Sequence, residues 1–495
     1  MDPTGLLSPH AANSAKRETA QATRRPPARQ DLGRPTDGER LLLTRLFLLA
    51  TLVLALAMPA PPASAQQTAR RSFIRDAEVE NTIRAFATPL FQAAGLDPEG
   101  VRIHLLIDPS LNAFVAGGQN MFFHTGLLVR AEHPGQLIGV IAHETGHISG
   151  GHLVRLQDAV GNASTEALMG LLLGAALGAA SGRGDVGTAV IMGSQEMAVR
   201  NLMAFSRTQE GSADQAGLSY LEATRQSAKG FLEFFEILGD QELLVAARQD
   251  PYVRTHPLTR DRVANVRDYV GKSPYSDTPP RPEFVEMHKR MRAKLFGFLE
   301  SPVRTYQRYK ETDDSLDSRY ARAIASYRKP DMATALPLID GLIADRPNDP
   351  YFWELKGQML FENGRGAEAL APYRKAVQLL PENALLRIGL AQVEVEQEDP
   401  ALLDDAKVNL NKALQNEPNN HSAWRLLAIA HGRLGEEGMA AYAMAEQTLL
   451  EGKLTDAAFH AGKAERLLPR SGPVWLRIQD IKERASQVKE RRERN

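Results

Sequence analysis

The sequence predicts an α+β domain followed by an all-α superhelix built from paired-helix repeats. The first prediction depends on residues 137–153, LIGVIAHETGHISGGHL, where an HExxH motif follows an apolar run. The second depends on residues 310–490, where amphipathic helix pairs recur with a spacing near 34 residues. A chain of 495 residues is also long enough for more than one domain.

The composition excludes several classes of partner and chemistry. The 59 Lys and Arg residues balance 60 Asp and Glu residues, so no polyelectrolyte partner such as nucleic acid is indicated. The chain has no cysteine, which excludes disulfides, thiolate metal sites, cysteine catalysis and lipid attachment through cysteine. Histidine and carboxylate side chains therefore remain as the strong ligands for zinc.

Residues 1–65 have the features of a disordered n-region and a secretory signal peptide. Residues 1–40 are rich in Arg, Pro and polar residues, and an apolar run follows over Leu41–Met58. The segment PAPPASA ends in Ala63-Ser64-Ala65, a small-residue cleavage pattern. We expect cleavage near Ala65 and export to the Gram-negative periplasm. An uncleaved membrane anchor is the alternative.

The predicted first domain, residues 68–300, begins with a helix over Asp76–Gln92. Alternating apolar residues predict a strand over Val101–Ile107. A hairpin is predicted from Ala113–Ala116 to Met121–His124 around the turn Gly117-Gly118.

One hypothesis gives the first hairpin strand a role in binding. A strand beside an HExxH helix can receive an extended peptide as an additional strand. Asn112, Ala113 and Phe114 would supply that edge. The alternative for Phe114 is a place in the core of the sheet.

The HExxH motif, His143 to His147, predicts a metal site on a buried helix. Histidines four residues apart lie on one helix face, so both imidazoles can reach one ion. Glu144 can hold and deprotonate a water molecule beside that ion. The alternative is a surface helix with stray histidines, but the preceding apolar residues Leu137, Val140 and Ile141 favour burial.

The third metal ligand is not supplied by the same helix. The extended HExxHxxGxxH pattern requires histidine at position 153, which is Leu153. In a continued helix His152 would lie about 180° from His143 and could not share its metal. Gly150-Gly151 predicts that the helix ends before His152.

A small, apolar segment, Leu168–Ala180, follows and is too short to span a bilayer. With the glycine-rich stretch Gly182–Gly187, it is predicted to form a mobile loop or a pair of helices near the site. This segment would either cover the cleft or make a peripheral contact with a membrane surface, and the sequence does not distinguish between the two.

Glu210 and Asp214 form an acidic pair on one face of a second predicted helix. They are four residues apart and enclose the small residues 211–213, which would allow another helix to pack closely. We predict that Glu210 is the third zinc ligand. Asp214 would accept a hydrogen bond from the far nitrogen of a ligating histidine. An ordinary acidic face is the alternative.

These motifs carry a resemblance that covers roughly residues 70–275. HETGH, with EGSAD about sixty residues later, resembles the HExxH…ExxxD pattern of the HtpX-like and CAAX-prenyl-protease-like zinc metallopeptidases. The resemblance implies a zincin-like, gluzincin-type metalloendopeptidase domain with one Zn²⁺ per chain, bound by His143, His147 and Glu210.

A third element extends this resemblance. The stretch YVRTHP at residues 252–257, with Arg262, is similar to that family's THP…R element. The resemblance places His256 and Arg262 near the active site. His256 would bind transition-state oxyanions or occupy the fourth zinc position in a latent state, and Arg262 would assist with the oxyanion.

The C-terminal half, residues 310–490, has the spacing of tetratricopeptide repeats. Pro347 and Pro381 are 34 residues apart, and the position of Trp353 recurs at Arg387 and Trp424. About four repeats and a less regular final pair are predicted. They would stack into a superhelix with a concave binding face. An ordinary helical domain is the alternative.

The order of signal peptide, peptidase domain and repeats resembles periplasmic proteases of the BepA (YfgC) type. The resemblance implies a protease, also chaperone-like, that degrades or assists misassembled outer-membrane β-barrel proteins. Unfolded outer-membrane proteins and, through the repeats, the β-barrel assembly machinery would be its partners. The alternative is a non-proteolytic chaperone or adaptor with a latent peptidase domain.

Overall fold

The computed structural model describes residues 73–153, 155, 206–239, 252, 256–397 and 399–494, all within one compact unit. The predicted signal peptide and the apolar segment Leu168–Ala180 lie outside these residues. Within the described ranges, no helix has the length and apolar character needed to cross a bilayer.

The described chain starts with a short strand, β1 (Phe73–Ile74), and helix α1 (Ala77–Ala93). The helix begins there because the Asp76 carboxylate accepts a hydrogen bond of 2.9 Å from the Val79 amide. Ile83 and Phe86 lie one turn apart on its buried face. The helix predicted from Asp76 onwards is confirmed.

Four strands form a sheet in the order β1-β2-β4-β3, with β2 at Arg102–Leu106, β3 at Ala113–Ala116 and β4 at Asn120–His124. Strands β2 and β4 are parallel, whereas β3 and β4 form the predicted antiparallel hairpin. Its turn uses positive φ angles of 58° at Gly117 and 92° at Gly118, which suit glycine. Strand β3 is left at the sheet edge.

The helices of this domain share one apolar core with the sheet. They are α2 (Thr125–Arg130), α3 (Pro134–Ser149), α4 (206–223), α5 (Lys229–Gly239), α6 (Arg260–Lys272) and α7 (Pro282–Leu299). Helix α3 carries the HExxH motif and is buried, as its apolar residues Leu137, Val140 and Ile141 predict. It ends before Gly150, and Gly151 turns the chain with φ of 62°.

Two glycines allow helix α3 to approach its neighbours closely. A Cβ atom at Gly139 would lie 2.5 Å from Cβ of Phe231 on α5. One at Gly146 would lie 2.6 Å from the carbonyl oxygen of Ala213 on α4. Because real Cβ contacts are longer, only glycine permits these approaches, and the contact at Gly146 sets helix α4 directly against the HExxH motif.

The C-terminal half is entirely helical among the described residues. It contains α8 (Pro302–Arg308), α9 (Leu316–Arg328), α10 (Met332–Asp345), α11 (Pro350–Glu362), α12 (Gly366–Leu379), α13 (Ala384–Glu396), α14 (Pro400–Asn416), α15 (His421–Arg433), α16 (Glu437–Leu450), α17 (Leu454–Leu467) and α18 (Gly472–Arg494). The predicted fold class, an α+β domain followed by helical repeats, is confirmed.

A hydrogen bond that recurs in three repeats explains the regular spacing of Trp353, Arg387 and Trp424. Trp353 Nε1 donates to the Pro347 carbonyl at 2.9 Å, and Trp424 Nε1 donates to the Pro418 carbonyl at 2.9 Å. Arg387 Nε makes the equivalent bond, 2.6 Å long, to the carbonyl of Pro381. Tryptophan and arginine exchange at this position because each can donate to the carbonyl six residues earlier.

Helix α1 also packs against the repeats. Ala77 packs into the apolar cluster formed by Leu360, Ala369 and Tyr373. The buried Glu78 carboxylate accepts a 2.7 Å hydrogen bond from Tyr320 and pairs with Arg290 at 2.7 Å.

Ion pairs surround this junction. Burial raises the pKa of Glu78, but the charges of Arg290 and Lys294 outweigh burial and lower the pKa. At the first residues of the described chain, the Arg75 guanidinium pairs with Glu80 at 2.8 Å and with Glu417, far along the repeats, at 2.6 Å. A continuous set of charged contacts therefore joins the α+β domain to the repeats.

A buried carboxyl group in the repeats makes stability dependent on pH. Burial raises the pKa of Glu394 from 4.5 to about 7, although Asn409 Nδ2 donates a 3.0 Å hydrogen bond to it. The folded chain binds the proton of Glu394 more tightly than the unfolded chain does. The resulting contribution to the free energy of unfolding is complete below pH 4.5 and is lost as the pH rises through 7. We expect Glu394→Gln to stabilise the protein by about 1 kcal/mol at pH 8, after allowance for solvent screening, and to have no effect at pH 4.

Thermal unfolding at the two pH values checks this expectation. Glu396→Gln, an exposed position on the same helix, is the matched control. An equal change in Tm at both pH values would show that the effect comes from packing and not from the charge.

Candidate active site

Helix α3 places two histidines beside each other in the interior. His143 is fully buried and His147 is nearly so, and their Nε2 atoms are 3.0 Å apart. Two imidazole nitrogens at this distance need a proton or a cation between them, because two lone pairs repel. This is the pairing expected from the four-residue spacing.

Helix α4 brings the Glu210 carboxylate to the same point. Its Oε2 atom lies 3.4 Å from His143 Nε2, and its Oε1 atom lies 3.4 Å from His147 Nε2. Burial raises the pKa of Glu210, but the charge of His256 and hydrogen bonds from the histidines hold the pKa well below its usual range. Glu210 is therefore an anion facing two imidazoles.

His256 completes the cluster. Its Nδ1 atom lies 3.3 Å from His143 Nε2 and 3.2 Å from the Glu210 carboxylate. Its ring stacks on Tyr252 with 4.6 Å between ring centroids, and its amide donates to the Tyr252 carbonyl at 2.7 Å.

The donor atoms of these four buried residues fit a tetrahedral metal ion. The ligand atoms of His143, His147, Glu210 and His256 all lie within 4.8 Å of one another. A tetrahedral ion with bonds of about 2.0–2.1 Å requires donors about 3.3 Å apart. The distances of 3.0–3.4 Å that separate the donors of His143 and Glu210 from each other and from those of His147 and His256 match that requirement.

Asp214 and Arg262 support the cluster from behind. His143 Nδ1 donates a 2.8 Å hydrogen bond to Asp214, so its Nε2 atom is left to face the other donors. Arg262 donates to both Asp214 oxygens, at 2.6 Å and 2.8 Å, and pairs with Glu210 at 3.0 Å. It also donates to the Pro257 carbonyl at 2.8 Å, next to His256.

These contacts give the two histidines opposite proton affinities. Burial lowers the pKa of His143, but hydrogen bonds to Asp214 and Glu210 outweigh burial and raise the pKa to about 9. Burial lowers the pKa of His147 to about 3. The pair therefore binds one proton strongly and a second one poorly, so a cation at the shared position has one proton to displace.

Glu144 is buried beside the cluster, and its carboxylate has no hydrogen-bond partner among the described residues. The nearest charged contact is His256 Nε2, 3.4 Å from its Oε1 atom. Burial raises the pKa of Glu144. An unpartnered carboxylate with a raised pKa is suited to accept and return a proton.

The comparisons with known proteins agree with this geometry. Residues 74–270 match the family model of Peptidase family M48. These residues form an M48 metallopeptidase domain. Residues 312–452 match the model of the cytochrome c-type biogenesis protein H TPR domain, which agrees with the tetratricopeptide repeats predicted there.

Two relatives match this chain over more than two thirds of its length. The beta-barrel assembly-enhancing protease of Yersinia pestis is 25% identical over 358 residues, which cover 72% of each chain. The protein of the same name from Escherichia coli K12 is 24% identical over 368 residues, 71% of this chain and 72% of the relative.

The M48 domain places all seven predicted site residues together. His143, Glu144 and His147 come from α3, and Glu210 and Asp214 come from α4. His256 lies just before α6, and Arg262 lies in its first turn.

His152 was excluded from the metal ligands by the sequence, and it lies outside the group of four donors. Its Nδ1 atom is nevertheless 3.0 Å from His147 Nδ1, so it orients that ring as Asp214 orients His143. No local sequence pattern predicts this contact, because it depends on the turn at Gly151, which folds His152 back over the helix end.

The edge strand of the M48 domain has the place that the peptide-binding hypothesis requires. Strand β3 pairs on one side with β4, and no described strand pairs with its other side. Ala113 is buried in the core, whereas Phe114 is half-buried on the outer face and stacks on Phe122 with centroids 4.9 Å apart.

Proposed function

We propose that this chain is a zinc-dependent endopeptidase of the periplasm that acts on outer-membrane β-barrel proteins. The observation that carries the proposal is the buried group of four donors, His143, His147, Glu210 and His256, beside the unpartnered Glu144. Two or three imidazoles with a carboxylate suit zinc. The names of the two relatives connect proteases of this kind with β-barrel assembly, and we infer the substrate class from that connection.

His143, His147 and Glu210 would hold the zinc ion, and the fourth position would open for substrate. When bound, the ion polarises the peptide carbonyl and lowers the pKa of water.

Glu144 would be the general base and acid. Its oxygens take a proton from the attacking water as the new C–O bond forms at the peptide carbonyl. The same carboxyl group returns the proton to the amide nitrogen as the C–N bond breaks. No described residue hydrogen-bonds to its oxygens, so both can accept a hydrogen bond from water.

Asp214 and Arg262 would be positioning residues. Asp214 fixes the tautomer of His143 through the 2.8 Å hydrogen bond to Nδ1. The terminal nitrogens of Arg262 are engaged by Asp214, Glu210 and the Pro257 carbonyl, so its contacts support holding the ligands in preference to binding a substrate oxyanion.

The secretory route and the repeats extend the proposal. A signal peptide cleaved near Ala65 would deliver the chain to the periplasm. The helical repeats would bind unfolded or misassembled outer-membrane proteins, or the β-barrel assembly machinery, and hold them near the peptidase domain. Substrate would add to the free edge of β3 as an extended strand.

Metal removal tests the zinc assignment. The protein purified from Gln66 onwards is expected to contain one zinc ion per chain and to cleave casein. Chelation with 1,10-phenanthroline should abolish cleavage, and added Zn²⁺ should restore it while Mg²⁺ should not. Full activity without bound metal would contradict the proposal. A metal-loaded protein that cleaves nothing would indicate a latent peptidase, and a protein that binds no metal would favour the adaptor alternative.

His256 favours a latent resting state. With its Nδ1 atom 3.3 Å from His143 Nε2 and 3.2 Å from Glu210, it occupies the fourth donor position that water or substrate would need. We therefore expect His256→Ala to raise kcat/KM for casein by about tenfold, because an open fourth position is required for catalysis.

The direction of this effect separates two roles. A fall in kcat at unchanged zinc content would show that His256 binds the transition-state oxyanion instead. His421→Ala, in the repeats and away from the cluster, is the control for loss of a histidine.

A further inference from the structure

A cavity of about 700 Å³ lies at the end of helix α3 opposite to the metal-binding residues. Its wall includes Pro134 and Gly135 at the start of that helix, about 13 Å along the axis from His143. This volume is in the range of small-molecule sites. None of the residues proposed for peptide cleavage lines it.

Three helix N-termini meet at this cavity. Helix α3 begins there at Pro134, α5 at Lys229 and α7 at Pro282, just after the lining residue Arg281. The N-cap residues His133 and Arg281 make no side-chain capping hydrogen bond. Each helix has proline, which carries no N–H, at its first position, and the third amide of each donates to the N-cap carbonyl, so one uncapped first-turn amide remains on each helix, at Gly135 and at Glu283. The positive ends of three helix dipoles and uncapped N–H groups favour an anion.

An unpartnered buried histidine independently indicates a ligand. His288, on α7, lines the cavity with 1% of its surface exposed. Its Nε2 atom has no hydrogen-bond partner among the described residues. A buried polar atom without a partner costs about 1–3 kcal/mol, and a bound acceptor would remove that cost.

Cations with no ion-pair partner in the described ranges line the same space. Arg225 and Lys289 are both of this kind, whereas Lys229 pairs with Asp277. The acidic Glu233 is already bonded to His133 and Gln136. Four Lys and Arg residues therefore face three acids, Glu132, Glu233 and Asp277.

Arg225 occupies a backbone position where glycine is usual. Its φ of 57° is left-handed, and it follows helix α4 at the residue whose amide bonds back to the Glu222 carbonyl. A cation is thus held at the cavity despite a strained backbone. The lining also has an apolar part, with Ile138, Pro279, Pro280 and Val285.

We propose that this cavity binds an oxyanion carried on an apolar body, either an organic carboxylate or a phosphate monoester. The oxyanion lies against the N-termini of α3 and α7, where His288 and Arg225 donate to it, and the apolar body packs on Ile138 and Val285. The ligand stabilises the start of the helix that carries His143 and His147. The site is independent of the peptidase assignment.

Calorimetric titration of the purified protein with phenyl phosphate, phenylacetate and inorganic phosphate tests this proposal. We expect phenyl phosphate or phenylacetate to bind with a Kd below about 1 mM and more tightly than inorganic phosphate, because the apolar wall adds contact area. The tighter of the two organic probes identifies the headgroup. Equal affinity for inorganic phosphate would overturn the apolar part of the proposal, and no binding of any probe would overturn the site.

Two variants locate the bound anion. Arg225→Gly removes the cation and relieves the left-handed backbone, so it should fold at least as well as the parent and bind the organic probe at least about tenfold more weakly. His288→Leu should weaken binding to a similar extent. Lys412→Ala, an exposed cation on α14, should change nothing. Unchanged binding in both cavity variants would place the anion elsewhere and overturn the proposal.

Discussion

Glu144→Gln is expected to lower kcat/KM for casein by at least about 10³ while the zinc content stays at one ion per chain. Glutamine preserves the shape of the side chain but cannot accept the proton of the attacking water. Glu210 is a poor substitute base, since it is held as an anion against His143, His147 and Arg262. The loss should therefore appear in kcat and not in binding of substrate.

Zinc analysis and steady-state cleavage, measured together, check this result. Glu99→Gln, an exposed position in the same domain, is the matched control and should keep full activity. Cleavage that survives Glu144→Gln would remove Glu144 from the mechanism. Loss of zinc in the variant would show that the carboxylate holds the metal and is not only a base.

Glu210→Gln is expected to weaken zinc binding by at least about a hundredfold, a larger effect than that of removing a residue that only orients a ligand. The substitution removes the anionic donor from the group and leaves three imidazoles facing a divalent cation. Arg262 would then retain Asp214 as its anionic partner among these residues.

Competition against a zinc-binding dye measures this affinity directly, without reference to activity. Glu222→Gln, on the same helix but bonded to Tyr269 and Ser273, is the control. An unchanged zinc affinity in Glu210→Gln would transfer the ligand role to another residue and would leave the ion pair with Arg262 as the function of Glu210.

The parts predicted from the sequence depend on signals contained in short segments. The start of α1 follows from the capping carboxylate of Asp76, and the β-hairpin follows from Gly117 and Gly118. The two histidines of HExxH meet because four residues make slightly more than one helical turn. Glu210 could be proposed from its four-residue spacing to Asp214 and its position after the HExxH motif, but its distance from His143 depends on the packing of two separate helices.

The parts that were not predicted depend on contacts between distant segments. The bond between Tyr320 and Glu78 joins residues 242 positions apart, and no local pattern distinguishes this glutamate from others on an exposed face. The cavity lined by His288 could not be predicted for the same reason, since its wall comes from the starts of three separate helices. The repeat spacing identified Trp353, Arg387 and Trp424 as equivalent, but not the shared carbonyl contact that explains their exchange.

Helix α1 decides how the two halves of this chain can be separated experimentally. Deleting the repeats after about residue 305 would uncover Ala77 and take away Tyr320 and Asp349, which satisfy Glu78 and Arg290. A truncated protein would fail through damage to the catalytic half, whether or not the repeats bind substrate. Catalysis and substrate recruitment should therefore be separated by point substitutions on the exposed surfaces of the repeats, not by deletion of the repeat domain.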